Sequence, residues 1–173
     1  AIGSSTRKSP QRSTERFLDP RAAMSRWLRP SMSRCGGRLR PDMAQVLKNI
    51  LYAEDEADIR QIAVLALETL GGFTVETCES GVGIVDKARS CHPDLVILDV
   101  MMPEVDGPSA FAALRNTPEF AATPILFMTA KVQPHEVAEL MKLGAADVIS
   151  KPFEPVALPQ KILSIWNRVQ EAS

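Results

Sequence analysis

From residue 49 onward, short solid apolar runs alternate with segments in which apolar residues recur at helical spacing. Asn49-Ile50-Leu51-Tyr52-Ala53 opens the series as a strand and ends in Glu54-Asp55-Glu56. The period then changes: Ile59, Ile62, Ala63, Ala66, Leu67 and Leu70 share one helical face, and Gly71-Gly72 stops the helix. Phe73 to Cys78 reads as a second strand, with Ser80 as the candidate cap of a short helix to about Ser90 that turns Ile84, Val85 and Ala88 inward. After the His92-Pro93 turn, Leu95-Val96-Ile97-Leu98 is unbroken, the pattern of a strand buried on both faces, and it ends on Asp99.

The alternation continues. Gly107-Pro108 starts a helix to about Asn116, and Pro124 to Met128 is a fourth buried strand ending on Thr129. Pro134 opens the next helix, with Val137, Leu140 and Met141 inward and Gly144 as terminator. Asp147-Val148-Ile149 is a short fifth strand that runs into Ser150-Lys151-Pro152. A last helix spans about Pro155 to Gln170, with Leu158, Ile162, Ile165 and Val169 on its stripe and Pro159 held to its first turn. Five such alternations predict an α/β fold, a doubly wound parallel sheet of order 2-1-3-4-5 with five helices. Its switch point lies between strands 1 and 3, where ligands bind at the carboxyl ends. The residues delivered to those ends are Glu54, Asp55, Asp99, Thr129 and Lys151.

Charge divides the chain in two. Residues 1 to 42 carry nine Arg and one Lys against three acids, a net of +7, whereas residues 43 to 173 carry ten basic against eighteen acidic groups, a net of −8. Residues 1–45 mix Ser, Arg and Pro without period, so they are expected to be a disordered basic extension, either an expression leader or upstream-translated sequence. A nucleic-acid-binding arm and a transit peptide are the other readings of that composition. The domain proper is expected over 46–173, and Met43 offers a clean start. Three cysteines without CxxC spacing suit free thiols in a reducing cytoplasm. No apolar run approaches the ~20 residues of a membrane span, so neither the membrane nor, for the domain, nucleic acid is an expected partner.

Three carboxylates in one crevice repel each other unless a cation joins them. An all-oxygen set on loops suits a hard divalent ion, and Mg²⁺ keeps waters there for a phosphate. Lys151 adds a positive charge, Thr129 a hydroxyl, and Asp99 a nucleophile that can form an acyl phosphate. Taken one at a time, each has a bland reading: a strand-end turn residue, a surface charge, helix N-terminal acids favoured by the dipole.

Taken together, Ile50 to Glu56, Pro93 to Gly107 around Asp99, Met128-Thr129-Ala130-Lys131 and Gly144 to Phe153 resemble the response-regulator receiver domain of two-component signalling, of the stand-alone chemotaxis type. The resemblance implies a flavodoxin-like sheet and a phosphoacceptor at Asp99. It implies Mg²⁺ on Asp55, Asp99 and the Met101 carbonyl, with Glu54 assisting through water, Thr129 and Lys151 on the phosphoryl group, and a cis bond before Pro152. It also implies a signalling domain rather than an enzyme. Expected partners are a sensor histidine kinase or histidine phosphotransfer protein, and a downstream target or second copy on the face of the fourth helix, fifth strand and fifth helix. Val148 stands where an aromatic switch residue is common, Glu54 stands where many members have a second Asp, and no output domain is expected after Ser173. Met101 and Lys131 flank the site without a group that orients water, so slow loss of the phosphoryl group is expected.

Three other readings compete. A flavin or dinucleotide module needs a Gly-rich phosphate loop after strand 1, where this chain has Glu54-Asp55-Glu56. A haloacid-dehalogenase-type phosphatase carries a second Asp two residues after the nucleophile, a place held here by Met101. A receiver-like module that docks partners without phosphorylation is the remaining alternative.

Overall fold

The computed structural model describes residues 46–172, so the basic extension read over residues 1–45 lies outside the described residues. Ten elements alternate: β1 Asn49–Ala53, α1 Ala57–Thr69, β2 Thr74–Cys78, α2 Ile84–Cys91, β3 Leu95–Asp99, α3 Gly107–Arg115, β4 Ile125–Thr129, α4 Pro134–Lys142, β5 Asp147–Ser150 and α5 Leu158–Glu171. The strands form one parallel sheet in the order β2-β1-β3-β4-β5. The order and the five helices are as the alternation predicts.

The sheet separates two cores. Strand residues of one parity, among them Ile50, Tyr52, Leu95, Ile97, Leu126 and Met128, pack with Ala63 and Leu67 of α1 and with Ile162, Ile165 and Trp166 of α5. Those of the other parity, including Leu51, Val96, Leu98 and Phe127, pack with Ile84, Phe111, Leu114 and Leu140 of α2, α3 and α4. β3 and β4 are buried at every position, the consequence of being central strands covered on both faces.

Four sequence expectations change. Ser80 does not cap α2: its hydroxyl accepts from the Val82 N–H at 3.2 Å, and Gly83, at φ 67, precedes the helix. α5 begins at Leu158 rather than Pro155: residues 155–157 form a turn closed by the Leu158 N–H on the Glu154 carbonyl at 3.0 Å, and Pro159, which has no N–H, takes the second helical position, where none is needed. Ile62 of α1 and Leu70 just after it are exposed, and Ala63, Ala66 and Leu67 are the buried residues of the helix, with Val64 partly buried beside them. In α4, Met141 is likewise exposed and Leu140 carries the packing. Val148 is half-buried against the α2–α4 core, and Trp166 is buried as packing.

The loop that follows β3 is held unusually close. The Gly107 N–H donates to the Val100 carbonyl at 3.1 Å, and a Cβ on Gly107 would stand 2.2 Å from the Asp99 carbonyl oxygen. Only glycine allows that approach. Asp106 then caps α3 by accepting from the Ser109 N–H at 2.9 Å, and that bond holds its carboxyl below the usual range. Within the same loop Glu104 sits at φ 63, and the Val105 N–H reaches back to the Pro103 carbonyl at 2.7 Å.

Candidate functional site

β1 and β3 are neighbours and end together, so the acids that follow them converge. Glu54 follows β1, Asp55 is next, and Asp99 is the last residue of β3. One carboxylate oxygen from each lies within 4.8 Å of the others. Glu54 and Asp99 are buried and Asp55 is exposed. Lys151, from the end of β5, inserts its ammonium between the two buried acids, 2.5 Å from Glu54 Oε2 and 3.1 Å from Asp99 Oδ2. The Lys151–Pro152 bond is cis, as expected.

Burial is the main cause that pushes the Asp99 carboxyl above its ordinary range, and the nearby negative charge of Glu54 adds to it. The Lys151 ammonium and the Met101 N–H act in the opposite direction, by hydrogen bonds to the carboxylate. Asp99 is thus a carboxylate whose charge lacks full compensation from the protein. Thr129 ends β4 beside it and is fully buried, and its hydroxyl oxygen accepts from the Lys131 N–H at 2.9 Å. Met101 projects from the loop, 60% exposed.

Two residues that the sequence reading passed over complete the site. The Tyr52 hydroxyl donates to Glu54 Oε2 at 2.8 Å from within the core, and burial raises its pKa far beyond its ordinary value. Arg60 of α1 donates to the carbonyls of Glu54 at 2.6 Å and Asp55 at 3.3 Å, and pairs with Glu79 at 2.9 Å. Arg60 therefore ties the loop after β1 to the loop after β2. The sequence carries a faint signal for Tyr52, a hydroxyl in an otherwise aliphatic strand two residues before an acid. For Arg60 it carries none, because two of its partners are main-chain carbonyls and the third, Glu79, is nineteen residues away.

Both of the donors to Glu54 share Oε2. Oε1 is the one buried side-chain polar atom among the described residues left without a hydrogen-bond partner. A buried acceptor in that condition costs about 1–3 kcal/mol, and a cation or its bound water is the partner its chemistry asks for. A hard divalent ion therefore fits this donor set: three carboxylates, one unmatched buried oxygen and an exposed Asp55 at the mouth. His92 and His135 are both exposed and stand on other elements.

Comparison with known proteins agrees with this arrangement. The family model of the response regulator receiver domain matches residues 50–163. The chain is similar to the probable transcriptional regulator ycf27 of Porphyridium aerugineum, 36% identical over 126 residues, which are 73% of this chain and 51% of that protein. It is 34% identical to the alkaline phosphatase synthesis transcriptional regulatory protein PhoP of Bacillus subtilis, over 73% of this chain and 51% of the relative. This chain thus spans about half the length of these curated relatives. Among solved structures, the chemotaxis response regulator CheY4 of Vibrio cholerae superposes with a TM-score of 0.64 at 30% identity, covering 69% of this chain and 99% of that one. On the family match, the shared sheet order and these relatives together, the chain belongs to the response regulator receiver domains of two-component systems.

Proposed function

We propose that this receiver accepts a phosphoryl group on Asp99 with Mg²⁺ and thereby switches the binding of a partner. The observation that carries the reading is the convergence of Glu54, Asp55 and Asp99, one carboxylate oxygen of each within 4.8 Å of the others, with an unmatched buried oxygen on Glu54 and Lys151 alongside. Glu54, Asp55, Asp99 and the Met101 carbonyl would hold the ion. When bound, Mg²⁺ supplies positive charge that offsets the phosphoryl oxygens. The remaining roles belong to the chain. An Asp99 carboxylate oxygen attacks the phosphorus of a phosphohistidine, the P–N bond breaks, and the imidazole leaves and takes up a proton, which yields an acyl phosphate. Lys151, already 3.1 Å from Asp99, shifts to a phosphoryl oxygen. Thr129, whose oxygen accepts from Lys131, retains its hydroxyl proton to donate to another.

The donor on this reading is a sensor histidine kinase or a histidine phosphotransfer protein, and a protein target docks on the α4–β5–α5 face, where Met141 is exposed. A receiver that docks partners without phosphorylation has no use for an uncompensated Asp99. The test is treatment with acetyl phosphate and Mg²⁺ followed by intact mass. One added phosphoryl group is expected in the wild type and none in Asp99→Asn. Undiminished labelling of Asp99→Asn would overturn the assignment of Asp99, and an unlabelled wild type would overturn the function.

A further inference from the structure

Accepting that Glu54, Asp55 and Asp99 form a cation-dependent phosphoacceptor site, we propose that Tyr52 is a positioning residue whose buried hydroxyl clamps one oxygen of Glu54 and so keeps the other, Oε1, free for the cation or its water. The inference starts from a mismatch of size. Glutamate has one more rotatable bond than aspartate, so at a buried site its carboxylate needs something to fix it. Here that something comes from below: Tyr52 is fully buried on β1, belongs to the same apolar core as Ile50, Leu95 and Ile97, and its hydroxyl lies 2.8 Å from Glu54 Oε2.

The hydroxyl has no packing purpose, since phenylalanine would fill the same apolar space. Its burial is tolerated because Glu54 accepts from it. Lys151 uses the same oxygen, but Lys151 is shared with Asp99 at 3.1 Å and, on the proposed function, turns to the phosphoryl group. Tyr52 sits on the rigid strand and stays. It thus holds the Glu54 arm in one orientation whether or not Lys151 is there, as a hydrogen-bond partner behind a metal ligand does.

The test is calorimetric Mg²⁺ titration of the wild type, Tyr52→Phe, Glu54→Asp and the double variant, with thermal unfolding followed in parallel. Tyr52→Phe is expected to weaken Mg²⁺ binding about tenfold, the lower end of what loss of such a partner does. In the Glu54→Asp background the same change is expected to have no effect on affinity, because the shorter carboxylate does not reach the hydroxyl. Equal losses in both backgrounds would make Tyr52 a structural residue and overturn the proposal. So would unchanged affinity in Tyr52→Phe, a comparison that decides alone should Glu54→Asp bind no Mg²⁺. A wild type that fails to bind Mg²⁺ overturns the underlying metal site instead, and the two failures are thereby told apart.

Discussion

Single residues in this protein are under tension in ways that composition hides. Glu104 is held at φ 63, left-handed backbone that costs a residue with a Cβ roughly 1–2 kcal/mol. Glycine avoids that cost but loses more freedom on folding, which returns part of the gain. Glu104→Gly is therefore expected to stabilise the fold by about 0.5 kcal/mol, the remainder of those opposed effects. Urea unfolding decides it, and a less stable glycine variant would show that Glu104 makes a contact worth more than its strain. Asp99 shows the opposite balance, a buried charge retained despite its cost. The same reasoning explains why some residues were legible in the sequence and others were not. Asp99 stood out as a charge at the end of an unbroken apolar run. Tyr52 did not, because its partner is defined by the reach of a hydroxyl across a strand end, and sequence spacing says nothing of reach.

At the level of elements, strands were the easiest to read and helix ends the hardest. β1, β3 and β4 are buried runs with polar residues at their carboxyl ends, so pattern alone locates them. Helix starts depend on where the preceding turn ends, which residue type alone does not tell: α5 starts at Leu158 after a turn over 155–157, and Gly83 rather than Ser80 precedes α2. The loop from β3 to α3 shows the most consequential element-level detail. Because Gly107 lies against the Asp99 carbonyl, Gly107→Ala forces that loop outward. The overlap, 2.2 Å against main-chain atoms, has no flexible side chain to absorb it, so a loss of about 1–3 kcal/mol is expected, as for overpacking elsewhere. Phosphoryl acceptance from acetyl phosphate should fall as well, since the shift moves Asp99 itself. Stability and labelling both equal to wild type would show that the loop yields freely.

For the whole molecule, the acidic crevice bears on how stability depends on pH and on metal. Asp99 has a raised pKa in the folded state, so its protonated form is compatible with the fold and its ionised form is penalised. The stability contributed by that proton is complete below the unfolded pKa of about 3.9 and is lost as pH rises through the folded value. At neutral pH, without metal, Asp99→Asn is expected to be the more stable protein, by about 1 kcal/mol, a common yield when a strained functional site is relaxed. The gap should narrow as pH falls through the raised pKa. Excess Mg²⁺ should narrow it too, because binding to the folded state at roughly ten times the dissociation constant adds about 1.4 kcal/mol to the wild type. Urea midpoints of both proteins against pH, with chelator and with Mg²⁺, test the three expectations at once. An asparagine variant that is less stable at neutral pH would mean that Lys151 already compensates Asp99 fully.

The two-sided core also bears on how the chain is made. α1 buries Ala63 and Leu67 against a core completed by Leu158, Ile162, Ile165 and Trp166 of α5. On a ribosome, the first helix is therefore finished long before the last one that shields its side of the sheet. On the opposite side, α2, α3 and α4 follow one another closely in the chain and can close as they emerge. One half of the domain can thus mature during synthesis while the other keeps an oily flank exposed to chaperones and to neighbouring nascent chains until the final turn of α5 is released.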